Sequence, residues 1–179
     1  MKNKKVTLAP LTANDREQFI LDNQWAFKYG ALEEFGRRDD HVDGDGEIIS
    51  RETIEHCMDE PGNEVYRIIF DGEKVGGVIL KINRETHHNQ LEILFVLPNV
   101  HSKGIGHGAW KAVEALHPET KIWETCTPYF EKRNIHFYIN KCGFHIVEFF
   151  CEHHVDPDAP DQEKQDDPDE MFRFQKIIM

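Results

Sequence analysis

The sequence is short of several features, and each shortage narrows its function. No apolar run in its 179 residues approaches the roughly 18 that a membrane-spanning helix needs, so no membrane role is expected. The opening Met1-Lys-Asn-Lys-Lys5 is basic but no apolar stretch follows, so it does not read as a secretory signal, and the expected location is cytoplasmic. Cysteine is sparse: Cys57, Cys126, Cys142 and Cys151 form no C-x-x-C pair and no zinc spacing, and they read as reduced thiols. Positive charge is in deficit, with 21 Lys and Arg against 33 Asp and Glu, and no basic patch stands out. A nucleic-acid partner is therefore not expected. The G-x-x-x-x-G-K-[ST] phosphate loop is missing. A dinucleotide-binding fingerprint, with its third glycine and later acid in register, is missing too.

What remains is a globular composition, 39% hydrophobic and 30% charged, at a length that suits one domain over residues 1–179. The net charge of −12 is concentrated in two segments. Residues 39–47 hold five acids and no Lys or Arg, residues 152–170 hold nine acids and one Lys, and the rest of the chain nets +1. Both segments read as acidic loops on a neutral body.

Local patterns predict the order β-α-α-β-β-β-α-β-α-β-β, a mixed α/β (α+β) domain. Val6 to Leu8 reads as a short strand. Asn14 or Asp15 caps a helix ending at Gly30, with Phe19, Ile20, Trp25, Ala26 and Phe27 on its buried face. Ser50 caps a second helix to about Met58. The apolar runs 65–70 and 75–82 flank Asp71-Gly72, a hairpin signal. Leu91 to Leu97 reads as a central strand, 104–116 as a helix and 121–125 as a short strand. A helix over 131–142 closes at Gly143. Phe144 to Cys151 and Met171 to Ile178 are the last two strands.

The most informative run is Val96-Leu-Pro-Asn-Val-His101-Ser-Lys-Gly104-Ile-Gly106-His-Gly108. A buried strand ends, a tight loop follows, and a helix opens on the loop's glycines. Free backbone N–H groups and the helix dipole converge there, a fit for an anionic phosphate, with Lys103 adding charge at the rim.

These residues resemble the GNAT superfamily of acyl-CoA-dependent N-acyltransferases, whose loop reads V-x-P-x-x-R/Q-x-x-G-x-G/A. Val96, Pro98, His101, Gly104 and Gly106 stand at those positions, with His101 in place of the usual Arg or Gln. A second family signature, L-Y-x-K-x-G-F, is similar to Phe137-Tyr138-Ile-Asn-Lys141-Cys-Gly143-Phe144, with the family's Lys displaced by one. The resemblance implies a GNAT-like single domain with splayed central strands and acetyl-CoA as cosubstrate, with no metal required. It implies a diphosphate on the loop formed by His101, Ser102, Lys103, Gly104, Ile105, Gly106 and His107. The pantetheine arm would run beside Phe95 and Val96, with Asn134 near the pantetheine or thioester. Tyr138 matches the family's general acid. Glu92 resembles the general base that some members carry on this strand; Glu124 and a relayed water are rivals. Alternation places Glu92 with Leu94 and Val96 on one face. No acyl-enzyme nucleophile stands out, Cys126 and Cys142 reading as small buried residues, so direct transfer to a small-molecule or peptide amine is expected. The superfamily's habits imply a possible homodimer.

Two other readings stay open. One is a non-catalytic CoA-binding sensor on the same fold. The other is a calcium-responsive module, because residues 41–52 resemble an EF-hand loop through Asp43, Asp45, Gly46, Ile48 and Glu52. His41 replaces the first-position Asp there, and Ile49 offers no ligand. The acidic loops otherwise read as the rim of a site for a cationic amine, or as solvated surface. The doublets His87-His88 and His153-His154 read as solvated turns.

Overall fold

In the computed structural model, which describes residues 5–34, 46–100, 104–159 and 170–179, one seven-stranded sheet runs through the molecule in the order β1-β2-β3-β4-β5-β7-β6. The strands are β1 (Thr7–Pro10), β2 (Asn63–Phe70), β3 (Glu73–Lys81), β4 (His88–Val96), β5 (Ile122–Pro128), β6 (His145–Phe150) and β7 (Met171–Ile177). The helices are α1 (Arg16–Lys28), α2 (Arg51–Asp59), α3 (Ile105–Leu116) and α4 (Lys132–His136). The element order is the one the sequence predicts. All neighbouring strands run antiparallel except β4 and β5, which are parallel.

The β2–β3 hairpin turns on Asp71 and Gly72, both with positive φ (57° and 83°), the two-residue type I′ geometry that Asp-Gly favours. Helix α2 starts where Ser50 accepts from the Thr53 N–H at 3.0 Å. Helix α1 departs from expectation at both ends. Asp15 precedes it without capping it, because its carboxylate is taken by Arg67 at 2.7 Å and Lys74 at 2.9 Å. Gly30 does not stop the chain from coiling, since a π-helical turn continues over Tyr29–Glu34. Phe19, Ile20 and Ala26 are buried as expected, but Trp25 is 47% exposed and Asn23 takes a buried position instead.

Two apolar layers flank the sheet. On one side α1 and α2 pack through Phe19, Ile20, Ile54 and Met58 onto Ile79, Ile93 and Phe95. On the other side α3 and the α4 segment pack through Trp110, Val113, Tyr138 and Cys142 onto Val78, Leu80, Leu91, Trp123 and Phe174. Trp110 anchors this second layer, with Trp123 at 5.3 Å and Phe144 at 5.0 Å.

Candidate active site

The sheet opens in its middle. β4 and β5 pair only through His88↔Ile122, Asn89↔Trp123 and Gln90↔Glu124, and both strands then continue without pairing. The central strands are thus splayed, leaving a gap between the end of β4 and the end of β5. On the far edge of β4, Leu97 donates to Val75 at 2.8 Å. Strand alternation therefore turns the main-chain groups of Leu94 toward the gap.

A β-bulge sits at the start of the opening. The register with β3 shifts between Ile79↔Ile93 and Leu80↔Leu91, leaving Glu92 as the extra residue on β4. The shift reverses the sides: Leu91 packs in the α3/α4 layer, whereas Ile93 and Phe95 pack in the α1/α2 layer. Glu92 does not share the face of Leu94, contrary to simple alternation. Its carboxylate meets the field of Lys81 and of Glu60 and His56 at α2, while Leu94 packs toward the opposite layer. Burial holds the Glu92 carboxyl above the ordinary carboxylate range, outweighing the opposing pull of Lys81.

Glu124, the rival base, is occupied. Gln175 donates to it at 2.5 Å, and His88 Nε2 lies 3.0 Å from its other oxygen.

Tyr138 lies across the opening in the α3/α4 layer. Its ring packs against Phe137, Phe144 and Phe174 with centroids 5.5, 5.7 and 5.5 Å away. Burial pushes the phenol up to about 12, and the neighbouring Thr125 side chain pulls the other way. Thr125 in turn donates to the Leu91 carbonyl at 3.0 Å, just past the last paired residues. The one-residue displacement in the Tyr-to-Gly motif has a structural counterpart. α4 passes into a π-helix over Phe137–Cys142, a form that accommodates an extra residue, and then ends on Gly143 at φ 81°.

The phosphate-loop residues divide. His101, Ser102 and Lys103 lie outside the described residues. Gly104, at φ 72°, precedes α3 with no side-chain cap, and the first helical bond runs from the Gly108 N–H to its carbonyl at 2.9 Å. The N–H groups of Ile105, Gly106 and His107 consequently have no acceptor within the helix, and open space lies where a Gly104 side chain would stand. Among the described residues no side chain caps that turn, and its N–H groups fit a diphosphate. Ile105 offers only its main chain, because its side chain is buried beside Ile68 and Val75. Gly106 faces Val96 and the Phe137 ring, which a Cβ there would touch at 3.9 and 3.4 Å.

Phe95 stands on the strand beside the gap through its backbone rather than its ring. Its ring is 3% exposed and packs edge-on to Phe19 at 5.2 Å in the α1/α2 layer, so only its backbone borders the strand's path. Asn134 stands at the rim and donates to Thr127 at 3.4 Å. Cys142 is buried as expected, but Cys126 is exposed. Its surroundings nevertheless desolvate it and push the thiol up to about 12. Cys57 is pushed up to about 11 and Cys142 to about 12, again by burial.

Charge divides across the opening. A cleft of about 360 Å³ between the turn after α1 and the start of α4 is lined by Gly30, Phe130, Lys132, Arg133 and His136. On the α2 side, Glu60 and Glu92 are joined by Asp156, which reaches Cys126 electrostatically, and Asp158, which reaches Lys81. The described start of the acidic 152–170 segment therefore adds negative charge near Cys126 and Lys81. Asp43 and Asp45 of the EF-hand-like loop lie outside the described residues. Among the described residues, no group of three or more His, Cys, Asp or Glu gathers to hold a metal, and no helix is long and apolar enough to cross a membrane.

Sequence reasoning missed Thr125, Phe137 and the bulge. Thr-x-Thr at 125–127 on a short strand was the visible signal for the first.

Comparison with known proteins agrees with this geometry. The chain is 46% identical to the uncharacterized protein YrkN of Bacillus subtilis (strain 168), over 99% of this chain and 98% of that one. Its fold matches an acetyltransferase from Thermus thermophilus with a TM-score of 0.68 at 15% identity, covering 99% of this chain and 100% of the other. It also matches spermidine N-acetyltransferase from Vibrio cholerae, in complex with CoA and spermine, with a TM-score of 0.66 at 13% identity, covering 97% and 95%. The sequence pattern of the acetyltransferase (GNAT) family matches residues 24–144, and the chain belongs to that family.

Proposed function

We propose that the protein is an N-acetyltransferase that moves an acetyl group from acetyl-CoA directly to a primary amine, and that the amine is cationic. The observation that carries this reading is the opening of the sheet after Gln90↔Glu124, with Glu92 on one side and the Tyr138 hydroxyl on the other. The uncapped first turn of α3 would hold the diphosphate of acetyl-CoA, and the gap beside Leu94, Val96 and Asn134 would take the pantetheine arm. The cosubstrate supplies an activated thioester.

Glu92 removes a proton from the attacking amine, and its raised carboxyl suits that task. Main-chain N–H groups of β4 polarise the thioester carbonyl. Tyr138 gives its proton to the departing sulfur. Thiols held near 11 and 12 are not nucleophiles at neutral pH, which supports direct transfer over an acyl-enzyme. The charge division supports a cationic acceptor: anionic cosubstrate toward α3 and α4, positive amine toward Glu60, Glu92 and Asp156.

The test is a screen of polyamines, amino acids and lysine peptides with acetyl-CoA, following thiol release. Turnover with a cationic amine, suppressed by salt, is expected. Turnover confined to neutral or acidic amines contradicts the acceptor class. Saturable CoA binding with no turnover by any amine favours a CoA sensor.

A further inference from the structure

We propose that the cleft between the turn after α1 and the start of α4 is an oxyanion subsite, and that it takes the phosphate monoester on the ribose of acetyl-CoA. The proposal rests on the acetyl-CoA reading above and goes beyond it. The diphosphate meets main-chain N–H groups at α3, whereas this third phosphate meets side chains. The cleft holds about 360 Å³ and is lined by Lys132, Arg133 and His136, together with Glu131, Phe130 and Ala31. Lys132, Arg133 and His136 fall within a little over one turn and are all exposed, while Ile135 and Tyr138 of the same segment pack into the core layer. His136 is set as a donor. The Asn140 side-chain N–H donates to His136 Nδ1 at 2.9 Å, so Nε2 carries the ring proton.

The cleft therefore presents two cations and a ring N–H against the one carboxylate of Glu131. Cations at the start of a helix oppose its dipole, so this surplus is unfavourable by itself. A phosphate monoester, with about two negative charges at neutral pH, offsets it and accepts charge-assisted bonds from these donors. Apolar lining from Ala31 and Phe130 excludes water and strengthens those pairs. Packing between α3 and α4 sets the cleft beside the diphosphate turn. The Phe137 ring carbons Cε2 and Cζ lie 3.4 and 3.5 Å from where a Cβ of Gly106 would stand. Arg133 precedes Phe137 by four residues, about 6 Å along the helix on the same face. A single sugar joins the ribose phosphate to the diphosphate, and a long Lys or Arg side chain covers the remaining span.

Dephospho-acetyl-CoA differs from acetyl-CoA only in that phosphate, so the pair isolates the subsite. Titration calorimetry of the purified protein compares the two ligands for wild type, for Lys132→Gln/Arg133→Gln, and for Lys141→Gln, which removes an exposed charge from the same segment outside the cleft. Wild type is expected to bind acetyl-CoA about 10- to 100-fold more tightly than dephospho-acetyl-CoA, the effect of hydrogen bonds between charged groups. Lys132→Gln/Arg133→Gln reduces that preference to about threefold or less and binds dephospho-acetyl-CoA within about twofold of wild type, which also shows that the variant is folded. Lys141→Gln keeps the preference. Equal binding of the two ligands by wild type, a preference that survives in Lys132→Gln/Arg133→Gln, or a loss equal for both ligands overturns the subsite while leaving the acetyl-CoA site intact. A variant that keeps both affinities but raises the KM of a carboxylate-bearing amine assigns the cleft to the acceptor and overturns it too. Wild-type protein that binds neither ligand at millimolar concentration overturns the acetyl-CoA reading, and this subsite with it.

Discussion

Glu92 and Tyr138 approach the opening from opposite layers, and each carries a proton affinity set by its surroundings. Burial raises the Glu92 carboxyl, so in the proposed base role it becomes competent only as pH climbs above the ordinary carboxylate range. The acid limb of the pH–rate profile should therefore lie above 4.5, the usual glutamate value for this group. Glu92→Gln should remove that limb and lower turnover about 100-fold or more, with acetyl-CoA affinity kept. Tyr138→Phe should lower turnover by a similar factor, again with little loss of CoA binding, as steady-state rates and calorimetry would show. Both residues were legible in the sequence through their place beside recognisable motifs. The face of Glu92 was not, because period-2 alternation assumes an unbroken ladder and the register shift at Ile79/Leu80 breaks it. The same break puts the Phe95 ring in the layer away from the expected cofactor path. Trp25 reads as buried from its apolar spacing, which says nothing of Asn23, the residue that holds the inward position.

Among elements, α1 is held to the sheet by charge as much as by its apolar stripe. Arg67, 2% exposed, binds Asp15 at 2.7 Å and Asp22 at 2.8 Å and lies 5.1 Å over the Phe19 ring. Arg67→Ala leaves two largely buried acids, Asp15 and Asp22, without their shared partner and should cost about 3–5 kcal/mol in chemical denaturation. Burial raises the Asp15 carboxyl, but bonds and charge from Arg67 and Lys74 outweigh it and leave the group lowered. A lowered carboxyl contributes stability that is present above its unfolded value, about 4, and is lost as pH falls through the folded one. Asp15→Asn should accordingly lower stability at neutral pH and flatten its fall in acid, as melting temperatures against pH would reveal. None of this was legible, since the sequence marked Asp15 only as a cap and its partner is 52 residues away. The Asp71-Gly72 hairpin, the Ser50 cap and the Gly143 stop were legible because local backbone chemistry decides them. At α3, Gly104→Val would force a β-branched residue to φ 72° and fill the space above the free N–H groups. Acetyl-CoA affinity should fall at least 10-fold by calorimetry, with the far-ultraviolet circular dichroism retained.

At the scale of the whole molecule, the fold was legible because element order and two spaced motifs pointed to one architecture. A seven-stranded sheet parted between the one parallel pair among the described strands is the outcome. The proposed acceptor class was less legible, because acidic loops are usually just solvated. The position of Asp156 and Asp158 near Cys126 and Lys81 is what connects one of them to the opening. The central claim is that the gap between β4 and β5, headed by the first turn of α3, is an acetyl-CoA site. Titration calorimetry of the purified protein with acetyl-CoA tests it most directly. The account predicts saturable binding near one equivalent per chain, weakened at least 10-fold by Gly104→Val. No heat of binding up to millimolar acetyl-CoA, or binding untouched by that substitution, would contradict it.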